Sequence, residues 1–252
     1  MSKINRTGEV RYNKFGSKME IIKYNRNDDM DVYFEEYDWI FKNATYQCFK
    51  QGSITCPYEK RTYNIGYLGE GSYKTRENGK KTEAYIIWSG ILKRCYSIED
   101  KNITYKDCDI CEEWHSFQNF AEWYYNNYYR VEEEKMHLDK DILCKNNKIY
   151  SSQTCVFVPQ RINNLFTKRQ NNRGCNKIGV VWHKRDEVYE VNCNNHKGKH
   201  EYLGRFKTEE EAFQCYKQFK EKVIKQVADE YKDKIPQKLY DAMYRYEVEI
   251  TD

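Results

Sequence analysis

The chain lacks the sequence features of membrane-spanning and exported proteins. Its 252 residues contain no run of about 18 apolar residues, so we expect no transmembrane helix and no membrane partner. The first six residues, MSKINR, include no apolar core of a signal peptide. We therefore expect a cytoplasmic protein whose ten cysteines are thiols rather than disulfides.

Aliphatic residues are also scarce, whereas aromatic residues are plentiful. The mean hydropathy is −1.02 and charged residues make up 33% of the chain, yet an aromatic content of 16% is too high for a disordered protein. The 24 tyrosines and 5 tryptophans would supply the burial that leucine and valine normally provide. This composition favours a few small domains with aromatic cores over one large core.

Positive charge is concentrated in one part of the chain. The net charge is only +4, but the stretch from Lys168 to Lys207 contains ten Lys and Arg against four Asp and Glu. Three of the five histidines fall in the same stretch. Such a local excess is typical of a module that binds a phosphate backbone, and equally of a solvated basic face, so charge alone does not decide between them.

Alternating apolar and polar residues predict a small antiparallel β unit over residues 8–73, within a first domain of residues 1–75. The glycine-dense segment 66–71 lacks the Gly-Lys-Ser/Thr ending of a phosphate loop, so we interpret it as a linker or turn. Helical spacing follows at 82–95 and at 111–129. The aromatic stripe of the second helix is typical of a core face.

The C-terminal third has the pattern of a three-stranded sheet followed by helices. The predicted elements are strands at 177–183, 187–193 and 200–206, a helix from residue 208 to about 231, and a last helix at 237–246 after Pro236. Thr208 is the expected N-cap of the long helix, and Glu211 stands at the capping-box position.

Between these parts, residues 136–168 have the order strand, loop, strand, helix. Asp139 stands where the first strand ends, and Asn163 stands one turn into the helix.

This segment resembles the ββα metal finger of the HNH (His-Me finger) nucleases, and in particular the homing endonucleases of phages. Residues 138–142 read Leu-Asp-Lys-Asp-Ile, where the family has Leu-Asp-Arg/His-Ile-Asp, and residues 150–155 read Tyr-Ser-Ser-Gln-Thr-Cys, where it has Tyr-Ser-Pro-Glu-Asn-Cys. The likeness covers about residues 85–168. It implies that Asp139 and Asn163 hold a single divalent cation, Mg²⁺ by preference, on the scissile phosphate. It also implies that His137, Lys140 and Asn163 are the catalytic residues, with Lys140 at the position of the general-base histidine that activates water.

Lys140 is the main departure from the family pattern. A solvated lysine is protonated at neutral pH and is a poor base. His137 and a metal-bound water are the alternative proton acceptors, although His137 does not share a β face with Lys140. Zinc is not expected, because Cys108 and Cys111 form only one of the two Cys-x-x-Cys knuckles that a zinc ribbon normally requires.

The C-terminal module resembles the Apetala-two (ethylene-response-factor) DNA-binding domain. The resemblance covers about residues 175–220 and depends on Gly-Val-x-Trp at 179–182, Leu-Gly-x-Phe at 203–206 and Thr-x-Glu-Glu-Ala at 208–212. It implies a three-stranded sheet that lies in the major groove of duplex DNA. The residues expected to contact DNA are Trp182, Lys184, Arg185, Tyr189, Lys197, Lys199 and Arg205.

Alternation also assigns the two faces of this predicted sheet. Trp182, Lys184 and Tyr189 are expected on or near the exposed face. The residues expected to pack under the helix are Val181, Val191, Leu203 and Phe206. A fold of this kind that serves protein contacts instead of DNA contacts is the alternative.

Together these patterns predict an α+β protein with three domains: a small β unit at 1–75, a ββα nuclease core with lead-in helices at 82–168, and a DNA-binding domain with C-terminal helices at 174–252. The first hypothesis is a phage-type HNH-like endonuclease in the bacterial host cytoplasm that cuts double-stranded DNA with Mg²⁺. The alternatives are a catalytically silent DNA-binding protein that keeps the finger as a scaffold, and a phage-encoded inhibitor that binds a host protein through its tyrosine-rich surface.

Overall fold

The computed structural model describes residues 5–97, 105, 107–167 and 177–250, which form an α+β protein as expected. The backbone divides into two compact units, residues 1–126 and 127–252. The division falls inside the segment 82–168 that the sequence assigns to one nuclease core. Within the described ranges, no helix combines the length and the apolar character needed to cross a membrane.

The N-terminal unit begins with a four-stranded antiparallel sheet, in the order β1-β2-β3-β4. Its strands are β1 (Val10–Tyr12), β2 (Lys18–Arg26), β3 (Asp29–Phe34) and β4 (Trp39–Ala44). Alternate residues of β2 and β3 are fully buried, including Met19, Ile21 and Val32. Thr45 caps the short helix α1 (Tyr46–Lys50), which adds Phe49 to the same core. The predicted β unit is therefore confirmed.

A hairpin and two helices complete this unit. Its remaining elements are β5 (Arg76–Glu77), β6 (Lys80–Lys81), α2 (Glu83–Tyr96), the two-residue strand β7 (Asp109–Ile110), a 3₁₀ turn (Glu112–His115) and α3 (Phe117–Asn127). The aromatic stripe forms the core between the helices, where the buried indole of Trp88 donates to the carbonyl of Trp114 at 2.8 Å.

The helix predicted at 111–129 is broken at Ser116. The amide of Tyr67 donates to the carbonyl of His115, and the amide of Phe117 donates to the carbonyl of Tyr67, both at 2.9 Å. Because the backbone on both sides of Ser116 pairs with this distant segment, it cannot continue the i to i−4 ladder of an α-helix. The prediction of one continuous helix was wrong for this tertiary reason.

The glycine-dense segment 66–71, predicted as a linker or turn, contains no helix or strand of its own and is packed against these helices. A Cβ atom on Gly66 would lie 2.5 Å from Cδ1 of Leu92, and one on Gly71 would lie 2.2 Å from Oε1 of Gln118. Only glycine fits at such a close approach. The glycines therefore allow the chain to run tightly past α2 and α3.

The second unit starts with the strand–loop–strand–helix segment. Strand β8 (Met136–Asp139) pairs antiparallel with β10 (Val156–Pro159), and α4 (Gln160–Phe166) follows directly. A two-residue strand, β9 (Ile149–Tyr150), lies in the connecting loop. The predicted order of elements is confirmed. Pro159 stands immediately before the first residue of α4. Proline has no backbone N–H to donate to the helical hydrogen-bond ladder, so it is tolerated at the start of a helix but not in its interior.

The basic module is a three-stranded antiparallel sheet backed by a long helix, as predicted. Its elements are β11 (Val180–His183), β12 (Val188–Asn194), β13 (His200–Phe206), α5 (Glu209–Glu230) and α6 (Gln237–Tyr244). The capping box is present, since Oγ1 of Thr208 accepts from the amide of Glu211 and the carboxylate of Glu211 accepts from the amide of Thr208, both at 3.3 Å.

The ββα segment and the basic module share one hydrophobic core. Val158 and Ile162 of the ββα segment are fully buried in the same cluster as Val191 of β12 and Ile224 and Val227 of α5. At the surface, the guanidinium of Arg161 pairs with the carboxylate of Glu230 at 2.6 Å. The predicted boundary between residues 168 and 174 thus separates two segments that bury each other's apolar side chains.

We expect Gly179→Ala to lower the free energy of unfolding by about 3 kcal/mol. Two costs add up, because alanine disfavours the positive φ at this position and its Cβ would clash with a neighbouring side chain. Gly179 has a φ of +73°, and a Cβ would lie 2.0 Å from Cδ2 of Tyr216. The matched control is Gly198→Ala, which has the same φ of +73° and no atom within 4 Å, and we expect it to cost about 1 kcal/mol. Urea denaturation measures both. Equal losses would contradict the packing of Tyr216 on Gly179.

Candidate metal site and nucleic-acid interface

His137 and Asp139 lie on the same face of β8. They are two residues apart on a strand, and their neighbours across the ladder are Val158 and Val156 of β10. Both side chains are partly exposed, whereas the two valines are buried. The candidate proton acceptor and the candidate metal ligand are therefore adjacent, on the rim of the shared core.

A hydrogen-bonded chain fixes the ring of His137 on the first turn of α4. Its Nε2 lies 2.5 Å from Oε1 of Gln160, and Nε2 of Gln160 donates to Oδ1 of Asn164 at 2.8 Å. Because the amide oxygen of Gln160 is an acceptor, Nε2 of His137 is the donor in this contact, and Nδ1 is the ring nitrogen left for a second partner. Across the described ranges, Nδ1 of His137 has no hydrogen-bond partner.

Sequence reasoning did not single out Gln160 or Asn164. Their spacing of four residues is the local signal for a contact along one helix face. The contact of Gln160 with His137 is tertiary, and no sequence pattern predicts it. Asn163, the second metal candidate, lies three residues after Gln160 on α4, the helix whose first residue contacts β8.

Asp139 is a carboxylate without a cationic partner. Its Oδ1 accepts the backbone N–H groups of Asp141 at 2.9 Å and Ile142 at 2.7 Å, and no Lys or Arg of the described chain pairs with it. Burial, and then the neighbouring carboxylate of Asp141, raises the pKa of Asp139 to about 6. A carboxylate destabilised in this way fits a position where a cation supplies the missing positive charge.

The donor set suits Mg²⁺ better than a metal that needs a full protein shell. Nowhere in the described residues do three His, Cys, Asp or Glu side chains gather to hold a metal. Mg²⁺ commonly takes one or two protein oxygens and keeps water or phosphate oxygens in its remaining positions. Asp139 and Asn163 could provide such a partial shell.

Lys140 is part of the loop structure rather than a free side chain. Only 8% of the residue is exposed, and its Nζ donates to Oδ2 of Asp141 at 3.1 Å and to the carbonyl of Asn147 at 3.2 Å. The amide of Asn147 donates back to the carbonyl of Lys140 at 2.7 Å. An ammonium group held by acceptors is poorly placed to take a proton, so the geometry favours His137 over Lys140 as the proton acceptor.

The faces of the three-stranded sheet are partly reversed relative to the prediction. Val180 and Val191 are buried toward α5, whereas Val181 is 50% exposed, so the expected burial of Val181 was wrong. Trp182 and Tyr189 lie on the same side as Val180 and Val191, with ring centroids 4.6 Å apart. The prediction placed Val181 of β11 toward the helix, whereas Val180 is the residue that faces inward. A shift of one residue along a strand places every side chain on the opposite face.

The open face of the sheet carries paired rather than free arginines. Nη1 of Arg205 lies 3.1 Å from Oδ2 of Asp186, and its Nε lies 3.3 Å from Oε2 of Glu190. Arg185 pairs with the other oxygen of Asp186 at 3.1 Å. Exposed ion pairs of this kind contribute only about 1 kcal/mol or less, so a phosphate can replace the carboxylate at small cost.

The three lysines predicted to contact DNA lie at the two ends of this sheet. Lys184 is in the β11–β12 turn, and Lys197 and Lys199 are in the β12–β13 turn, with all three side chains exposed. Oδ1 of Asn195 accepts the amides of Lys197 at 2.9 Å and Lys199 at 3.0 Å, which orders that turn. Because the turns lie beyond opposite ends of the seven-residue β12, about 20 Å of strand separates them.

Comparisons with protein families, with curated proteins and with solved structures find no match to this chain. The functional argument therefore depends on the side chains of the second unit. Two features carry it: the junction of β8 with α4, where His137 and Asp139 share a strand face and Gln160 contacts His137, and a sheet with basic turns at both ends.

Proposed function

We propose that this chain binds duplex DNA and cuts one of its strands with the help of a divalent cation, in the cytoplasm of a bacterial host. The observation that carries the proposal is the placement of His137 beside Asp139 on one face of β8, at its junction with α4, the helix that contains Asn163. A proton acceptor beside two oxygen ligands is the minimum equipment for metal-assisted phosphodiester hydrolysis.

The three-stranded sheet supplies the binding surface in this proposal. The major groove of B-DNA is about 12 Å wide and admits a small β-sheet. Lys184 at one end of the sheet and Lys197 and Lys199 at the other are separated far enough to reach the phosphates on both sides of that groove. Arg185 and Arg205 would exchange their carboxylate partners for phosphates.

In the cutting step, Asp139 and Asn163 would hold the cation, which would supply Lewis-acid stabilisation of the phosphate. His137 accepts a proton from water at Nδ1, because its Nε2 is committed to Gln160. Gln160 acts as a positioning residue, since its own amide is held by Asn164 and fixes the orientation of the imidazole. The product is a nick in the bound strand.

A catalytically silent DNA-binding protein is the second candidate. Two observations favour it: Lys140 is tied to Asp141 and Asn147, and one oxygen of Asp139 already accepts two backbone amides. Both contacts stabilise the loop without any metal. In this alternative the ββα segment is a scaffold that supports the basic sheet through the shared core.

We expect Asp139→Asn to reduce Mg²⁺-dependent nicking of supercoiled plasmid by about 100-fold or more, since the substitution removes the charge that holds the cation. Asparagine keeps an oxygen for the amides of Asp141 and Ile142, so the turn remains intact. The matched control is Asp233→Asn, an exposed carboxylate of the same unit, which should nick like the wild type.

A gel shift on the same plasmid separates the two candidate functions. Metal-dependent nicking that is lost in Asp139→Asn supports the endonuclease. Binding without nicking, in both Mg²⁺ and Mn²⁺, would refute the endonuclease and leave the silent DNA-binding protein. Equal nicking by Asp139→Asn and wild type would remove Asp139 from the metal site.

We expect the double substitution of Lys197 and Lys199 by alanine to weaken duplex binding equally on all sequences, because phosphate contacts carry no sequence information. The slope of log affinity against log salt should become shallower by about 2, roughly one unit for each lost phosphate contact. The control is the double substitution Lys232→Ala and Lys238→Ala, which alters two exposed lysines away from the sheet. An unchanged slope in the first variant would exclude the β12–β13 turn from the interface.

A further inference from the structure

The β5–β6 hairpin carries a cluster of exposed positive charges in the N-terminal unit. Lys74, Arg76, Lys80 and Lys81 lie close together in the sequence, and all four residues are exposed. Glu77 is the one acidic residue between them. Neither the proposed metal site nor the three-stranded sheet of the second unit includes this hairpin.

These cations have no carboxylate partners. Within the described part of the chain, Lys74, Arg76, Lys80 and Lys81 take part in no ion pair. Arg205 of the three-stranded sheet, in contrast, contacts two carboxylates. A phosphate can therefore approach the hairpin without displacing an acidic side chain.

Two of the cations stand directly opposite each other. Arg76 and Lys81 are partners in the antiparallel ladder, so their side chains leave the same face of the hairpin. Nζ of Lys81 also lies 5.5 Å from the centre of the Tyr85 ring, a contact that does not neutralise its charge. Like charges at opposite positions destabilise a strand pair. An anion at this face would be attracted by both side chains.

The hairpin has a tight turn and a fixed base. Its tip is the two-residue turn Asn78-Gly79, in which φ is +49° and +76°, and Nη1 of Arg76 donates to the carbonyl of Gly79 at 2.9 Å. At its base, Oγ1 of Thr82 donates to the carbonyl of Lys74 at 3.0 Å. Because Thr82 is also the N-cap of α2, the hairpin is attached directly to that helix.

Helix α3 holds the segment that enters the hairpin. Oε1 of Gln118 accepts from the amide of Tyr73 at 3.0 Å, and Nε2 of Gln118 donates to the carbonyl of Tyr73 at 2.9 Å. The rings of Tyr73 and Tyr125 are stacked, with centroids 5.3 Å apart. A surface that is ordered before binding loses less conformational entropy when a partner arrives.

We propose that the β5–β6 hairpin is a second phosphate-contacting surface, through which the N-terminal unit binds the backbone of duplex DNA. The inference rests on the proposed function, because the partner is the same duplex. DNA presents closely spaced phosphates that Lys and Arg contact regardless of sequence. The tip residues Asn78 and Gly79 offer no apolar side chain for insertion into a lipid surface, which favours DNA over a membrane. A second contact on one duplex is intramolecular and therefore raises the affinity.

The test is the salt dependence of duplex binding by the full-length protein, measured by fluorescence anisotropy without divalent cations. The hairpin variant combines Lys74→Gln, Lys80→Gln and Lys81→Gln, which removes three charges and keeps the contact of Arg76 with Gly79. We expect the slope of log affinity against log salt to become shallower by about 2 to 3. The affinity at low salt should fall about tenfold or more.

The matched control combines Lys23→Gln, Lys42→Gln and Lys50→Gln, three exposed lysines of the same unit. It has the same net charge as the hairpin variant, so a general loss of electrostatic attraction would affect both variants equally. We expect the control to keep the wild-type slope. Equal slopes in the two variants would overturn the proposal.

The double alanine variant of Lys197 and Lys199 separates this inference from the proposed function. A wild-type protein that binds no duplex refutes both. A shallower slope in the Lys197 and Lys199 variant, with an unchanged slope in the hairpin variant, overturns the hairpin contact alone. A shallower slope in the hairpin variant alone supports the hairpin contact and excludes the β12–β13 turn.

Phosphatidylserine vesicles test the other anionic surface that could attract the hairpin. Vesicle binding that the hairpin variant loses, together with its wild-type slope on DNA, would overturn the proposal in favour of a membrane. Circular dichroism melting checks folding, and removing a like charge opposite Arg76 should leave the melting temperature at or above that of the wild type. Lys80→Glu alone is the second variant if the triple variant unfolds, and we expect it to weaken duplex binding.

Discussion

The second unit depends on one apolar core to which two very different segments contribute. Val158 and Ile162 of the ββα segment are buried with Val191 of the sheet and with Ile224 of α5. In this core each segment covers apolar side chains of the other. The shared core therefore fixes the β8–α4 junction relative to the basic sheet. Under the proposed function, a cut at that junction would fall at a set distance from the bound groove.

Among the described residues of this unit, no lysine or arginine pairs with the carboxylate of Asp139, and this carboxylate marks the candidate metal site. It lies beside another carboxylate, that of Asp141. Buried charges are costly unless they are paired, so native proteins rarely retain them without a reason. Under the proposed function, a cation at Asp139 would supply the missing charge. In contrast, Lys140 is satisfied within its own loop.

Local sequence signals predicted the elements well and the tertiary details poorly. The capping box at Thr208 and Glu211, the three C-terminal strands and the ββα order follow from patterns within short windows. The break at Ser116, the contact of Gln160 with His137 and the core shared across residues 168–176 depend on partners far away in sequence. The misassigned face of Val181 shows how an error of one residue reverses a strand.

Native-state hydrogen exchange tests most directly whether the ββα segment and the basic module form one cooperative unit. If they share a core, the slowest amides of β8 and β10 and those of β12 and α5 should exchange through the same opening, with equal free energies and equal dependence on denaturant. Exchange of the β8–β10 amides through a separate, less costly opening, while β12 and α5 stay protected, would contradict the account.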